Sequence, residues 1–373
     1  MGSHVAAILS ASPEVQKVYC LVRAGSPFEA YDRLIQTLRT RQVYSCFAGF
    51  PQSKLIAVPA ALSEPDLGLD FQTYNGLITE VTDVVHCAWS VNFNLHLKSF
   101  EKDSIAGLKN LLDLCLNVQR PTPASFNFCS SVSAVVNTER SQIPESLPEN
   151  LSHAQNMGYA QSKLVGEHIC ANAARQTGLK TRVLRIGQVI GDTKYGIWNP
   201  TEAVPLMLQC ATTIGALPTL DEYPLWLPVD TVAETVVELS LAGSDPHARS
   251  DGDGDGEAYD DVFNIVSPCP FHWTRDLLPY LRGAGLEFEE LDQRNWIRRL
   301  RESNPDPVEN PPTKLVEFFA GKYDTNEPRR SLIWETDRAR RVSKALGNSG
   351  PLDQEMVRRM VSFWKEECWG RRG

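Results

Sequence analysis

The sequence predicts an α/β fold: a doubly wound parallel sheet with a smaller, mainly helical C-terminal part. Three observations carry this. Short apolar strands alternate with amphipathic helices through the first half, which is the order of a parallel sheet covered on both faces. The run from Ser125 to Ile186 reads as strand, helix and strand, a βαβ unit. Beyond Asp245 the chain turns acidic and Gly-rich, and helical patterns dominate from there to the C-terminus.

Strands are expected at Val18 to Val22, Leu55 to Val58, Val81 to His86, Ser125 to Cys129 and Thr181 to Ile186. After the first, Ser26-Pro27-Phe28-Glu29 forms a capping-box signature with Pro27 at the first helical position. It opens a helix through Ala30, Leu34 and Leu38. A longer helix is expected from Leu95 to Asn117, with Phe100, Ile105, Leu108, Leu111, Leu112 and Cys115 as its core stripe. From Tyr159 to Gln176, Leu164, Val165, Ile169 and Ala173 recur at helical spacing, and Gly178 is placed to end that helix. Asp230 reads as the N-cap of TVAETVVEL.

In the C-terminal part, FHWTRDLLPYLRGAGLEFEEL and NWIRRLRES alternate helix and strand patterns. NPDPVENPP is a turn-rich connector. Asp337 to Gly370 reads as helices anchored by Trp364 and Trp369. The expected division is a nucleotide-binding domain over 1–244, a flexible acidic loop over 245–261 and a substrate-binding part over 262–373.

Composition excludes several classes. A net charge of −9 leaves no basic footprint for nucleic acid or an anionic membrane. Nine cysteines without a CxxC or a Cys/His cluster argue for a reducing compartment, with neither a disulfide framework nor a metal site. Asp251, Asp253, Asp255 and Gly256 imitate the start of a calcium loop, but Val262 stands where a bidentate Glu is needed. No signal pattern and no membrane-spanning apolar run is found, so a soluble, cytoplasmic chain is expected.

Chemistry concentrates at Tyr159 and Lys163, which share one helix face at i and i+4. A phenol with an ordinary pKa of about 10 is a poor acid at neutral pH, and a nearby ammonium is expected to lower it. Tyr159 is thus the candidate general acid, for hydride chemistry on a carbonyl. The strand SFNFCSSVSAVV ends upstream in small hydroxyls. Ser131 is the first choice to polarise a substrate oxygen and Ser133 the second; capping of local backbone is the alternative for both.

In a dinucleotide fold the end of the second strand faces the adenosine ribose, where arginine favours a 2′-phosphate. Arg23 at the end of VYCLVR and Arg33 on the next helix therefore point to NADPH. The usual glycine-rich phosphate turn is not seen before them. Gly2 and the helix it opens read as the last glycine of that turn, with the first strand and the earlier glycines outside the sequence, or with MGSH as a cloning remnant.

Together VYCLVRAGSPFEAYDRL, VVHCAWSVNFNLHLKSFE, CSSVSAVV, GYAQSKLVGE, LRIGQVIGD, WNPTEAVPLML, WLPVD and NPPTKLVEFFAGKY resemble the thioester reductase domains of fungal non-ribosomal-peptide-synthetase-like and polyketide synthases. These belong to the extended short-chain dehydrogenase/reductases, with a Rossmann-type fold, and are similar to the reductase domains of carboxylic acid and aminoadipate reductases. The resemblance implies NADPH-dependent reduction of an acyl thioester, held on a carrier protein's phosphopantetheine arm, to an aldehyde or on to an alcohol. It assigns Ser131 to the carbonyl oxygen, Tyr159 to proton donation and Lys163 to the nicotinamide ribose. Arg23 and Arg33 match its 2′-phosphate arginines, Cys87, Ala88 and Trp89 a loop passing the cofactor, and Gly187 a position near the nicotinamide. Ala61 and Ser104 depart from its acidic and Asn positions. The alternatives are an extended short-chain reductase of a free ketone or aldehyde, and a non-catalytic relic acting as a binding module.

Overall fold

The computed structural model describes residues 1–43, 54–243, 261–325 and 330–369. The chain divides into two compact units, Met1–Gly187 with Asp230–Val266 and Leu332–Asn348, and Gln188–Val229 with Ser267–Ser331 and Ser349–Gly373. This is not the linear division expected at 244 and 262. The strand at Val262–Ile265 hydrogen-bonds into the first unit's sheet, because its pairing partner is Val183 to Ile186. The Gly-rich acidic stretch and the calcium-like aspartates lie outside the described residues.

The first unit begins with helix α1 (Gly2–Ala11), strand β1 (Val18–Val22), α2 (Pro27–Thr40) and β2 (Leu55–Pro59). Next along the chain come α3 (Phe71–Glu80), β3 (Asp83–His86), α4 (Ala106–Leu116), β4 (Ser125–Ser131), β5 (Gln142–Ile143), α5 (Gly158–Thr177) and β6 (Thr181–Ile186). Its later segments supply α7 (Val229–Leu241), β10 (Val262–Ile265), β12 (Ile333–Trp334), α11 (Asp337–Val342) and α12 (Lys344–Gly347). Parallel pairing gives a four-stranded sheet in the order β10-β6-β4-β3 and a separate pair β1-β2. Among the described residues no strand joins β1 to β3.

Local chemistry explains these elements. Ser26 accepts the Glu29 backbone N–H at 3.2 Å and Pro27 sits in the first turn of α2, while the Glu29 carboxylate accepts the Gly25 N–H at 2.8 Å, one residue before the position a capping box would use. Gly178 ends α5 in the left-handed region at φ 70°, which a residue with a Cβ adopts only at a cost. Every residue of β6 is buried, as is all of β4 but its last residue, so these strands are covered on both faces. Phe126 and Phe128 are fully buried there beside Leu108, Leu111, Cys170 and Val183. Each such ring contributes about 2–3 kcal/mol relative to exposure.

The long helix expected from Leu95 to Asn117 is instead a tight turn at Leu97–Phe100, a wide π turn at Glu101–Ile105 and then α4. A π turn inserts one residue and re-phases the stripe. Phe100, Leu108, Leu111, Leu112 and Cys115 are buried, whereas Ile105 is only partly so. Asp230 lies inside the first turn of α7 rather than at its N-cap, and its carboxylate there still favours the helix dipole.

The second unit holds β7 (Val189–Ile190), α6 (Ala203–Thr213), β8 (Ala216–Thr219), β9 (Leu227–Pro228), α8 (Leu278–Gly283), β11 (Glu289–Asp292), α9 (Gln293–Glu302), α10 (Val316–Tyr323) and α13 (Gln354–Phe363). β8 pairs with β11 and β7 with β9, both parallel. Its core is rich in indoles. Trp364 is fully buried, stacks on Trp369 at 5.3 Å and donates its N–H to the Trp198 carbonyl at 3.0 Å. A buried indole needs such a partner. No helix among the described residues is long and apolar enough to cross a membrane.

Candidate active site

The end of β4 meets one face of α5 residue by residue. The Cys129 carbonyl accepts from Lys163 Nζ at 2.7 Å, and the Ser130 hydroxyl donates to Glu167 Oε1 at 2.5 Å. The Ser131 side chain lies close enough to the Tyr159 phenol to lower its pKa. Tyr159, Lys163 and Glu167 stand four residues apart, so α5 turns all three toward the strand end. The structure thus brings Ser131, Tyr159 and Lys163 together.

Two glycines allow this approach. A Cβ on Gly158 would lie 2.3 Å from the Leu95 carbonyl oxygen, so the 95–97 backbone passes directly over the start of α5. A Cβ on Gly166 would lie 2.8 Å from the Phe128 ring, so α5 sits tightly on β4. The same loop carries Phe93, whose ring meets that of Tyr159 edge-to-face at 5.3 Å. Phe100 approaches Tyr159 from within the fold at 6.5 Å.

Ser131 also accepts the Ser133 N–H at 3.2 Å and the Ser133 hydroxyl at 2.9 Å. It therefore caps the short turn Val132–Ala134 while facing the phenol. Ser133 acts on Ser131.

The electrostatics correct one expectation. Burial raises the Tyr159 phenol above its ordinary value, and the neighbouring Ser131 hydroxyl only partly opposes it. Lys163 is not among the groups that shift Tyr159, because its ammonium is directed at Cys129 and lies 5.9 Å from the phenol ring centre. Burial pushes Lys163 itself down to about 7, against the opposing pull of Cys129, Cys87 and Glu167. Its ammonium packs against Trp89 at 4.3 Å and Phe128 at 4.8 Å from the ring centres. The neighbouring His86, wedged among aromatic rings, is pushed down to about 3 by burial, with Lys163 as a second cause.

The remaining sequence candidates separate into two groups. Cys87 and Trp89 join Lys163: the Cys87 sulfur lies 3.6 Å from that of Cys129, and the Trp89 indole N–H donates to the Ser162 hydroxyl at 3.1 Å. Ala88 between them is exposed. Gly187 follows β6 where a Cβ would meet the Val266 side chain at 2.9 Å, so close packing accounts for glycine there. Arg23 and Arg33 gather with each other: both are exposed, and the Arg33 guanidinium donates to the Arg23 carbonyl.

Sequence reasoning passed over Glu167, Ser130 and Arg185. Arg185 on β6 holds Glu167 by its Nε at 3.1 Å to both carboxylate oxygens and by Nη2 at 2.7 Å, with both side chains essentially fully buried. The available signal was charge in the wrong place. TRVLRI puts two arginines in a strand that must be buried, and a buried guanidinium demands a partner.

A family model described as male sterility protein, an NAD-binding domain, matches residues 1–236. A non-reducing polyketide synthase of Emericella nidulans is 31% identical over 380 residues, covering 97% of this chain and 14% of that protein. An adenylate-forming reductase of Heterobasidion annosum is 28% identical, covering 93% of this chain and 30% of that protein. The chain thus spans only a minor part of these relatives. The terminal R domain of the myxalamid PKS-NRPS pathway superposes with a TM-score of 0.80 at 22% identity, covering 98% of this chain and 88% of that one. The reductase domain of a Mycobacterium tuberculosis non-ribosomal peptide synthetase superposes at 0.74 and 20%, with the same coverage. These likenesses agree with the resemblance and the α/β fold read from the sequence. With more than half of its length matched by that family's model, the chain belongs to the male sterility family of NAD-binding domains.

Proposed function

We propose that the chain is an NADPH-dependent reductase of carrier-protein-bound acyl thioesters, releasing an aldehyde or, after a second reduction, an alcohol, in secondary-metabolite biosynthesis in the cytoplasm. The observation that supports this most is the Ser131 hydroxyl set close to the Tyr159 phenol at the end of β4, with Lys163 beside them. Two hydroxyls placed together suit one carbonyl oxygen. Ser131 polarises it, and Tyr159 gives it a proton as the carbon is reduced. The carbon–sulfur bond of the resulting hemithioacetal then breaks, the carbonyl re-forms, and the pantetheine sulfur leaves as a thiol.

The donor set suits NADPH, whose bound form would supply the hydride. Arg23 and Arg33 are two exposed arginines brought together by the Arg33 guanidinium on the Arg23 carbonyl, and two guanidiniums in one place suit a phosphate dianion. An ammonium has three donors, and Lys163 gives one to Cys129, leaving others for ribose hydroxyls. Cys87, Ala88, Trp89 and Gly187 would flank the nicotinamide half.

The test is an NADPH titration of the chain by nucleotide energy transfer, with NADH as control, followed by turnover of a phosphopantetheinyl acyl thioester. Selective NADPH binding and thioester-dependent turnover support the proposal. Equal turnover of a free ketone or aldehyde would favour the wider reductase reading, and a folded chain that binds no nucleotide would favour a binding module.

A further inference from the structure

We infer that Glu167 is a positioning residue for Ser131, Tyr159 and Lys163, its carboxylate clamped by Ser130 and Arg185 so as to set α5 in one register against the end of β4. The inference deepens the proposed reductase reading and rests on it for its kinetic arm.

The geometry is a ladder with three rungs. Cys129 holds Lys163, Ser130 holds Glu167 and Ser131 faces Tyr159, so three consecutive strand residues meet three residues spaced by four on the helix. The middle rung extends sideways. Ser130 and Arg185 are register partners on the neighbouring strands β4 and β6, and both bind the Glu167 carboxylate. The rest of the Arg185 fork is satisfied by the Ser146 carbonyl at 3.0 Å and the Pro144 carbonyl at 3.4 Å. The loop leading to α5 is thereby tied to the same point.

A buried ion pair of this kind is a poor device for stability, since an apolar pair of similar volume often serves as well. It is a good device for register. A carboxylate fixed by Arg185 and by a strand hydroxyl has one seat, and a slip of α5 by a single residue would leave a charge unpaired in the interior. That seat lies one turn beyond Lys163 and one strand residue from Ser131. A small error there would part Ser131 from Tyr159, and loss of alignment is expensive in rate.

Glu167 also acts on Lys163 through its charge. The groups that face Lys163 are Cys129 on β4, His86 and Cys87 on and after β3, and Tyr159, Glu167 and Cys170 on α5. Glu167 is the carboxylate among these described groups, and it favours the ammonium.

Two variants of the full 373-residue chain test this. Ser130→Ala removes one rung and leaves the ion pair intact. Glu167→Gln combined with Arg185→Met removes both charges without stranding either. For Ser130→Ala the expectation is a folded chain whose kcat for the thioester falls about tenfold, while KM for NADPH and for the thioester stays within about twofold. For the double variant, the Lys163 titration midpoint, followed by NMR of 13Cε-labelled lysine and assigned by its loss in Lys163→Met, should fall, because Glu167 acts on Lys163 more strongly than Arg185 does.

A folded Ser130→Ala chain with unchanged kcat overturns the inference. So does a folded double variant with an unchanged Lys163 midpoint. If the parent chain turns over no thioester, the functional reading fails and the midpoint still decides the role of Glu167. If the double variant does not fold, the Ser130→Ala kcat decides it.

Discussion

The Lys163 ammonium lies 4.3 Å from the centre of the Trp89 ring, so an indole shields the cation of the candidate site. That contact is electrostatic as well as apolar, because the ring face is negative. It also explains how an ammonium that gives one hydrogen bond to the Cys129 carbonyl can be buried.

Trp89→Ala should therefore cost more than its partial burial suggests. It removes the cation–π contact and the hydrogen bond to Ser162 together. Urea unfolding should show a loss of about 2 kcal/mol, with Trp89→Phe recovering most of it. A loss confined to a few tenths would mean that water serves Lys163 equally well.

Tyr159→Phe deletes the candidate proton donor and keeps the ring that packs on Phe93 and Phe100. Thioester reduction should fall by about 10²–10⁴-fold with nucleotide affinity little changed. Single-turnover measurement of NADPH oxidation reads this directly. A variant retaining most of the rate would remove Tyr159 from the chemistry.

His86 predicts a pH dependence of stability. Its folded pKa of about 3 lies below the ordinary 6.5 because the ring is buried. The unfolded chain therefore takes up a proton first as pH falls from 6.5 toward 3, and stability declines across that window. His86→Phe, which suits a ring set among Phe126, Phe128 and Trp89, should blunt the decline by up to about 3 kcal/mol at pH 4. Urea titrations at pH 4 and pH 7 compare the two chains.

Glu145 is a buried carboxylate that accepts backbone N–H groups of Asn264 at 3.1 Å, Arg338 at 2.7 Å and Ala339 at 3.2 Å. It joins β10 to the start of α11. Glu145→Ala should lose about 3 kcal/mol through orphaned donors, and Glu145→Gln, which keeps one carbonyl acceptor, distinctly less. Equal losses in thermal or urea unfolding would show that charge, not acceptor geometry, is what matters.

Gly158→Ala should be damaging although alanine favours helices, since its Cβ would meet the Leu95 carbonyl at 2.3 Å and that neighbour is backbone. The loop bearing Phe93 would have to move off Tyr159. A fall in kcat of about tenfold or more is expected alongside any stability loss, and a neutral variant would show the loop to be free to give way.

The parts of the fold that were legible are those written in short-range pattern. The N-cap at Ser26, the glycine stop at Gly178 and the five main strands arise from a few adjacent residues, and each lies where its spacing places it. The break in the helix before α4 was not legible, because no glycine or proline between Leu97 and Ile105 marks the π turn. Nor was Glu167. Its partners Ser130 and Arg185 are 37 and 18 residues away.

The sequence by itself determined the α/β order, the shared helix face of Tyr159 and Lys163, and the hydroxyl-bearing strand end that meets them, because periodicity and turn chemistry act over a few residues. Tertiary structure alone decided that the two units interleave along the chain, that the Tyr159 phenol is raised rather than lowered, and that Lys163 stands near 7. Those outcomes depend on desolvation and on partners carried in from distant segments, such as Cys129 and Trp89 around Lys163. A buried charge answers to whatever surrounds it in space, and no local pattern specifies that.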